Sequence, residues 1–164
     1  MLESVQRELL FIDWSAVTAL FSVFIAKRAN DINHKPLLNQ RQSRVPPNDS
    51  SRGYLKLELK NYGTGVAEII SIEYNILGKI YQGHELNQGL NTAFNAENNR
   101  YGRPAGSVAT IQPKTLIGGK ESELIFELKH NNNEVFDWLL NTAVIIEVKY
   151  KCIQGRDYKF IGRI

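Results

Sequence analysis

The sequence has one cysteine, Cys152, in 164 residues. A single cysteine excludes an intramolecular disulfide and any zinc site built on paired thiolates. The lack of a disulfide suits a reducing compartment. Histidine is scarce as well: His34, His84 and His130 are far apart, and none pairs with another at ligand spacing. There is no Gly-x-Ser-x-Gly elbow, no His-Glu-x-x-His helix, no Walker loop and no EF-hand loop. With no motif that names a reaction, the chain reads as a non-enzyme, and it suggests no cofactor, metal or small-molecule substrate.

Excess charge is modest. Twenty Lys and Arg stand against seventeen Asp and Glu, for a net charge of +3 and a pI near 9.0. The excess sits in two places. One is Lys27 to Arg52, with Lys27, Arg28, Lys35, Arg41, Arg44 and Arg52 against Asp31 and Asp49. The other is Lys149 to Arg163, with five cations against Asp157. Such segments attract anionic lipid or nucleic acid, or form a solvated surface.

Long apolar runs are absent except for one. Leu9 to Ala26 reads LLFIDWSAVTALFSVFIA. As a helix it would be about 27 Å long, near the lower limit for a hydrocarbon core of about 30 Å. Asp13 lies toward one end beside Trp14, an interfacial residue type, and Lys27 and Arg28 close the other end. The segment does not read as a cleavable signal, because Glu3 and Glu8 outweigh Arg7 before it and no small-x-small site follows. It reads as a single membrane span or inserted anchor over residues 1–29, holding lipid through residues 9–28. Cations after the span would place the rest of the chain in the cytoplasm. A buried helix of a soluble domain is the competing reading. Ser15, Thr18, Ala19, Ser22 and Ala26 would share one narrow face of the helix, which suits close helix association in lipid.

Residues 30–52 are polar, with a Pro-Pro and a Ser-Ser pair, and read as a juxtamembrane linker. The Pro36-Leu37-Leu38 piece is the one part with edge-strand character. From Gly53 the pattern has period two, so 53–164 reads as a β-domain. Leu55, Leu57 and Leu59 alternate with Lys56, Glu58 and Lys60. Ile70, Ile72, Tyr74 and Ile76 form a second apolar set; Leu124, Phe126 and Leu128 form a third; Val144, Ile146, Val148, Tyr150 and Cys152 form a fourth. Ser107 to Ile111 gives a further strand. Tyr158 to Gly162 gives the last, joined through Gly155 as a hairpin. With no βαβ rhythm, an antiparallel sandwich follows. Leu86, Leu90, Ala93 and Phe94 predict an amphipathic helix within Glu85 to Asn98, and Glu134 to Leu140 predicts one or two helical turns.

Asn61-Tyr62-Gly63-Thr64-Gly65-Val66-Ala67 places two glycines one residue apart. A dinucleotide loop would need a third glycine and a following helix. Here Ala67 and Glu68 lead into a β-branched alternating run, so the pair is expected to supply positive φ angles in a tight strand connection. This motif resembles the N-x-G-x-G-x-A turn of small bacterial membrane-anchored proteins with an immunoglobulin-like β-sandwich module. The Tyr150 to Tyr158 hairpin around Gly155 is similar too, while Val66 stands where a proline is usual. The resemblance implies a mainly β, immunoglobulin-like sandwich after one N-terminal helix, and carries over no catalytic residues.

The leading functional expectation is a membrane-tethered interaction protein that presents a cytoplasmic β-sandwich to a protein partner. Arg100, Tyr101 and Arg103, in an irregular loop, are the residue types that anchor interfaces. One alternative is an oligomeric membrane effector of a bacterial stress or phage-defence system, in which self-association uses the small-residue face. Another is a soluble nucleic-acid-binding β-domain using Lys149 to Arg163. It ranks last, because Tyr158 and Phe160 read as core rather than as a stacking platform.

Overall fold

The computed structural model describes residues 14–48, 50–96, 105–142 and 144–163. The chain divides into two compact units, Met1–His34 and Lys35–Ile164.

In the first unit a helix, α1, spans Trp14–Asn33. No glycine or proline interrupts these residues. The helix stops where the restriction imposed by Pro36 approaches, with the His34 amide donating to the Asn30 carbonyl at 3.1 Å. Among the described residues no helix is long and apolar enough to cross a membrane. The reason is local. The apolar part of α1 ends at Ala26, and the helix continues through Lys27, Arg28, Asn30 and Asp31. From Trp14 to Ala26 it is only about 20 Å long. Leu9 to Asp13, which complete the expected span, lie outside the described residues.

The second unit is mainly antiparallel β, in two sheets. The strands are β1 (Leu38–Val45), β2 (Gly53–Asn61), β3 (Ala67–Ile76), β4 (Lys79–Gln82), β5 (Ala105–Val108), β6 (Leu116–Ile117), β7 (Ser122–His130), β8 (Ile145–Cys152) and β9 (Asp157–Arg163). One sheet has the order β1-β2-β7-β5, and the other β4-β3-β8-β9 with β6 also paired to β3. The inner faces share one buried cluster. Leu55, Leu57, Leu59 and Phe126 belong to it from the first sheet; Ile72, Tyr74, Ile146 and Val148 belong to it from the second. Removing these side chains from water is the main stabilising contribution, at roughly 25 cal/mol per Å² of apolar surface.

Two short helices add to this core. A single 3-10 turn, Gly83–Glu85, leads into α2, Leu86–Ala96, which buries Leu86, Leu90, Ala93 and Phe94 as their spacing predicts. The third helix, α3, spans Glu134–Asn141 and buries Val135, Phe136 and Leu139. Trp138 packs against Phe94 with ring centroids 5.0 Å apart.

Three local features differ from the expectation. The polar stretch after α1 is not all tether: β1 pairs with β2 along its whole length, from Leu38↔Asn61 to Val45↔Tyr54. Only Leu38 on it is buried, so backbone pairing rather than apolar alternation holds the strand. In β3 the register shifts between Ile69 and Ser71. That bulge buries Ile69 and leaves Ile70 exposed, then restores the inward phase at Ile72. On β7, opposite the shift between Leu57 and Glu58, Ile125 points inward together with Phe126.

The β8–β9 hairpin forms as expected. Gly155 has φ +77° and donates to the Cys152 carbonyl at 2.8 Å, while the Cys152 amide donates to the Arg156 carbonyl at 2.9 Å. Cys152 itself is a buried core residue.

Candidate functional site

The surface of α1 is the first candidate. Leu20, Phe21, Val23, Phe24 and Ile25 are all exposed on it. Five large apolar residues within six consecutive helical positions spread over about 200° of the helix, wider than a core-facing stripe, and small residues fill the remaining face. A helix with so broad an apolar surface is stable only when something covers it. Ser15, Thr18, Ala19, Ser22 and Ala26 are exposed on the same helix. Thr18 donates its hydroxyl to the Ser15 carbonyl at 3.0 Å, and Ser22 donates to the Thr18 carbonyl at 2.9 Å. These hydroxyls are thus satisfied within the helix, which removes most of the penalty for leaving water. Toward its end the helix carries a small hollow lined by Phe24, Lys27, Arg28 and Asp31.

The second candidate is the corner where the chain passes from one sheet to the other. Asn61 ends β2, and its side chain is fully buried. Its Oδ1 accepts from the amides of Leu37 and Gly63, each at 3.0 Å. Its Nδ2 donates to the carbonyls of Gly65 at 2.6 Å and Ile117 at 3.1 Å. Both lone pairs and both protons of one amide are therefore used. The backbone adds to the junction: Asn61 donates to the Glu121 carbonyl and accepts from Lys120, both at 2.9 Å. The residues at the entry to β1, the crossing loop and the segment before β7 meet on this one side chain.

The crossing loop also corrects the expectation for its glycines. Among the described residues the left-handed glycines are Gly78 and Gly155. Gly63 is needed for space: a Cβ there would strike the Lys35 carbonyl oxygen and lie 2.7 Å from the Leu37 amide nitrogen. The loop is an inter-sheet crossing packed against the incoming chain, built by backbone proximity and by Asn61.

The third candidate is a groove of about 370 Å³ beside the β3 bulge. It is lined by Ser71, Gln82, His84 and Gln112, with Ile72 and Ile111 as its apolar floor. Its lining offers amides, hydroxyls and one imidazole, and pairs that imidazole with neither a carboxylate nor a thiol. That set can hydrogen-bond a neutral group but does not form an activated nucleophile. Among the described residues no group of three or more His, Cys, Asp or Glu side chains stands together as a metal site.

The second sheet carries cross-strand ion pairs, whereas the first pairs Lys56 with Glu58 and Lys129 with Glu127 along single strands. Lys159 reaches Glu147 at 2.8 Å, Lys149 reaches the same carboxylate at 3.8 Å, and Lys151 reaches Glu68 at 3.2 Å. Hydrogen bonding from Lys159 holds the Glu147 carboxyl below its usual range. The basic C-terminal segment is therefore partly neutralised by its own sheet. Tyr158 stacks on Tyr150 at 5.4 Å and Phe160 packs against the core, so neither forms an open stacking surface. Arg100, Tyr101 and Arg103 lie outside the described residues.

No protein-family model matches the chain, and no curated protein is significantly similar to it. Function therefore rests on the chemistry of these surfaces. Asn61 and the groove beside His84 were missed in the sequence. An asparagine ending an alternating strand before a Gly-x-Gly turn was the available signal for the first. The groove had none, because its residues come from separated segments.

Proposed function

We propose that the chain is a non-enzymatic, membrane-tethered interaction protein, in which α1 attaches to the bilayer and an immunoglobulin-like sandwich meets a protein partner on the cytoplasmic side. The observation that carries this reading is the broad exposed apolar surface of α1, from Leu20 to Ile25. Lipid is the cover that suits an apolar helix with self-satisfied hydroxyls and cations, Lys27 and Arg28, at one end. The apolar run of the sequence continues before Trp14 as far as Leu9, which would extend the inserted length.

The strand order supports the immunoglobulin-like assignment. β1-β2-β7-β5 and β4-β3-β8-β9 can be read as A-B-E-D and C′-C-F-G. A rigid scaffold of that kind presents loops for recognition, and Arg100, Tyr101 and Arg103 remain the proposed contact loop. The small-residue face offers a place for self-association between α1 helices.

Membrane fractionation with an alkaline wash tests the reading. The full chain is expected in the washed pellet, and a Phe21→Asp, Phe24→Asp double variant in the supernatant. Wild-type chain found wholly in the supernatant would sink the membrane reading.

A further inference from the structure

We infer that the end of the β-unit at which the chain enters is a docking face for anionic phospholipid head groups. This rests on the reading of α1 as a membrane attachment.

The strand pairings define that end. Leu38 opens β1 opposite Asn61 at the close of β2. Ala67 opens β3 opposite both Ile117 and Cys152. The hairpin loop after Cys152 and the crossing loop after Asn61 therefore project from the same end. Four large apolar side chains are exposed there. Ile153 at 81% and Leu116 at 60% are the most open, and Leu37 and Tyr62 accompany them.

Cations surround them. Lys35, Lys60, Lys114, Lys120, Lys151 and Arg156 belong to this end, against the carboxylates Glu68, Glu121, Glu123 and Asp157. Two of those carboxylates are engaged locally. Glu68 pairs with Lys151 at 3.2 Å, and Glu121 accepts from the Gly118 amide at 2.8 Å. The Lys35 and Lys60 ammonium groups lie over the rings of Tyr158 and Tyr62, at 5.7 and 5.2 Å from the centroids. Aliphatic tips, a tyrosine and an excess of lysines make a surface that fits the head-group layer of an anionic bilayer.

The opposite end also exposes apolar residues, Val45, Leu77 and Ile80. Connectivity chooses between the two. Only His34 to Leu37 separate α1 from β1. Five peptide steps reach at most about 18 Å, whereas a nine-residue strand such as β2 sets the far end about 30 Å away. The short connection therefore tethers the end that carries Ile153 and Leu116 rather than the end that carries Leu77 and Ile80.

Hydrogen–deuterium exchange of the full chain in lipid nanodiscs tests this. Discs of neutral phosphatidylcholine are compared with discs containing one-third phosphatidylglycerol. Amides of residues 62–65 and 153–156 are expected to exchange at least fivefold more slowly in the anionic discs, with residues 77–80 unchanged. Replacing both Leu116 and Ile153, by Leu116→Gln and Ile153→Gln, is expected to abolish that protection. Equal exchange in both discs overturns the docking face while leaving the membrane attachment standing. Failure of the chain to join either disc overturns both. Protection that grows with protein concentration in detergent, without lipid, assigns the face to a second copy and also overturns the inference.

Discussion

The side-chain amide nitrogen of Asn61 lies 2.6 Å from the carbonyl oxygen of Gly65, across the loop that carries the chain from one sheet to the other. The same amide reaches Ile117 and receives Leu37 and Gly63. An intact amide at this position is thus a structural requirement of the crossing, as much as the glycines beside it.

Asn61→Ala removes all four hydrogen bonds and leaves buried backbone groups without partners. The expected loss is about 3 kcal/mol or more of unfolding free energy, measured by urea denaturation. Asn61→Asp should also destabilise, because a carboxylate would face the Gly65 and Ile117 carbonyls. Gly63→Ala is expected to be costly through its clash with the Lys35 carbonyl, whereas Gly155→Ala should cost about 1–2 kcal/mol through left-handed strain. A neutral Asn61→Ala would disprove the hub.

Tyr74 is fully buried and its hydroxyl has no hydrogen-bond partner. Burial pushes its phenol well above the ordinary tyrosine range. Tyr74→Phe is therefore expected to keep the fold and raise its stability by about 1 kcal/mol. In an ultraviolet pH titration, the wild type should show the Tyr74 phenol as the last tyrosine to ionise, and the variant should lose that last step. A drop in stability on replacement by Phe would show that the hydroxyl is satisfied.

Glu58 on β2 is held below the usual carboxylate range, first by its hydrogen bond from Lys56 and further by Ser122 and Arg41. The Lys56 ammonium lies 2.8 Å from it. A carboxyl depressed in the folded state contributes stability above its unfolded pKa of about 4.3, and that contribution is lost as pH falls through the folded value. Melting temperature should therefore fall more steeply below about pH 4.5 in the wild type than in Glu58→Gln. Parallel curves for the two proteins would rule out this linkage.

Much of the β-unit was legible because its inner faces follow strict alternation. Leu55, Leu57 and Leu59, and Val144 to Cys152, are buried where period two puts them. The hairpin at Gly155 followed from turn chemistry. What was not legible depends on partners distant in the sequence. The bulge that turns Ile70 outward exists only in the pairing with β8, and β1 exists only because β2 offers an edge. Two-residue β6 is too short to carry a period. The helical extent of α1 beyond Ala26 was hidden, because its charged residues look the same in a helix as in a tether.

The strand order also sets when this chain can fold. Leu57 on β2 pairs with Phe126 on β7, a separation of roughly seventy residues that places the fold among the slower, non-local topologies. Both sheets wait for strands from the last third of the sequence: β7 sits at the centre of one, and β8 at the centre of the other. During synthesis α1 emerges before the strands, and Leu55, Leu57 and Leu59 follow it with nothing to pack against. The nascent chain therefore stays exposed to aggregation until Cys152 has left the ribosome, and early capture of α1 would hold it apart from other chains until the core closes.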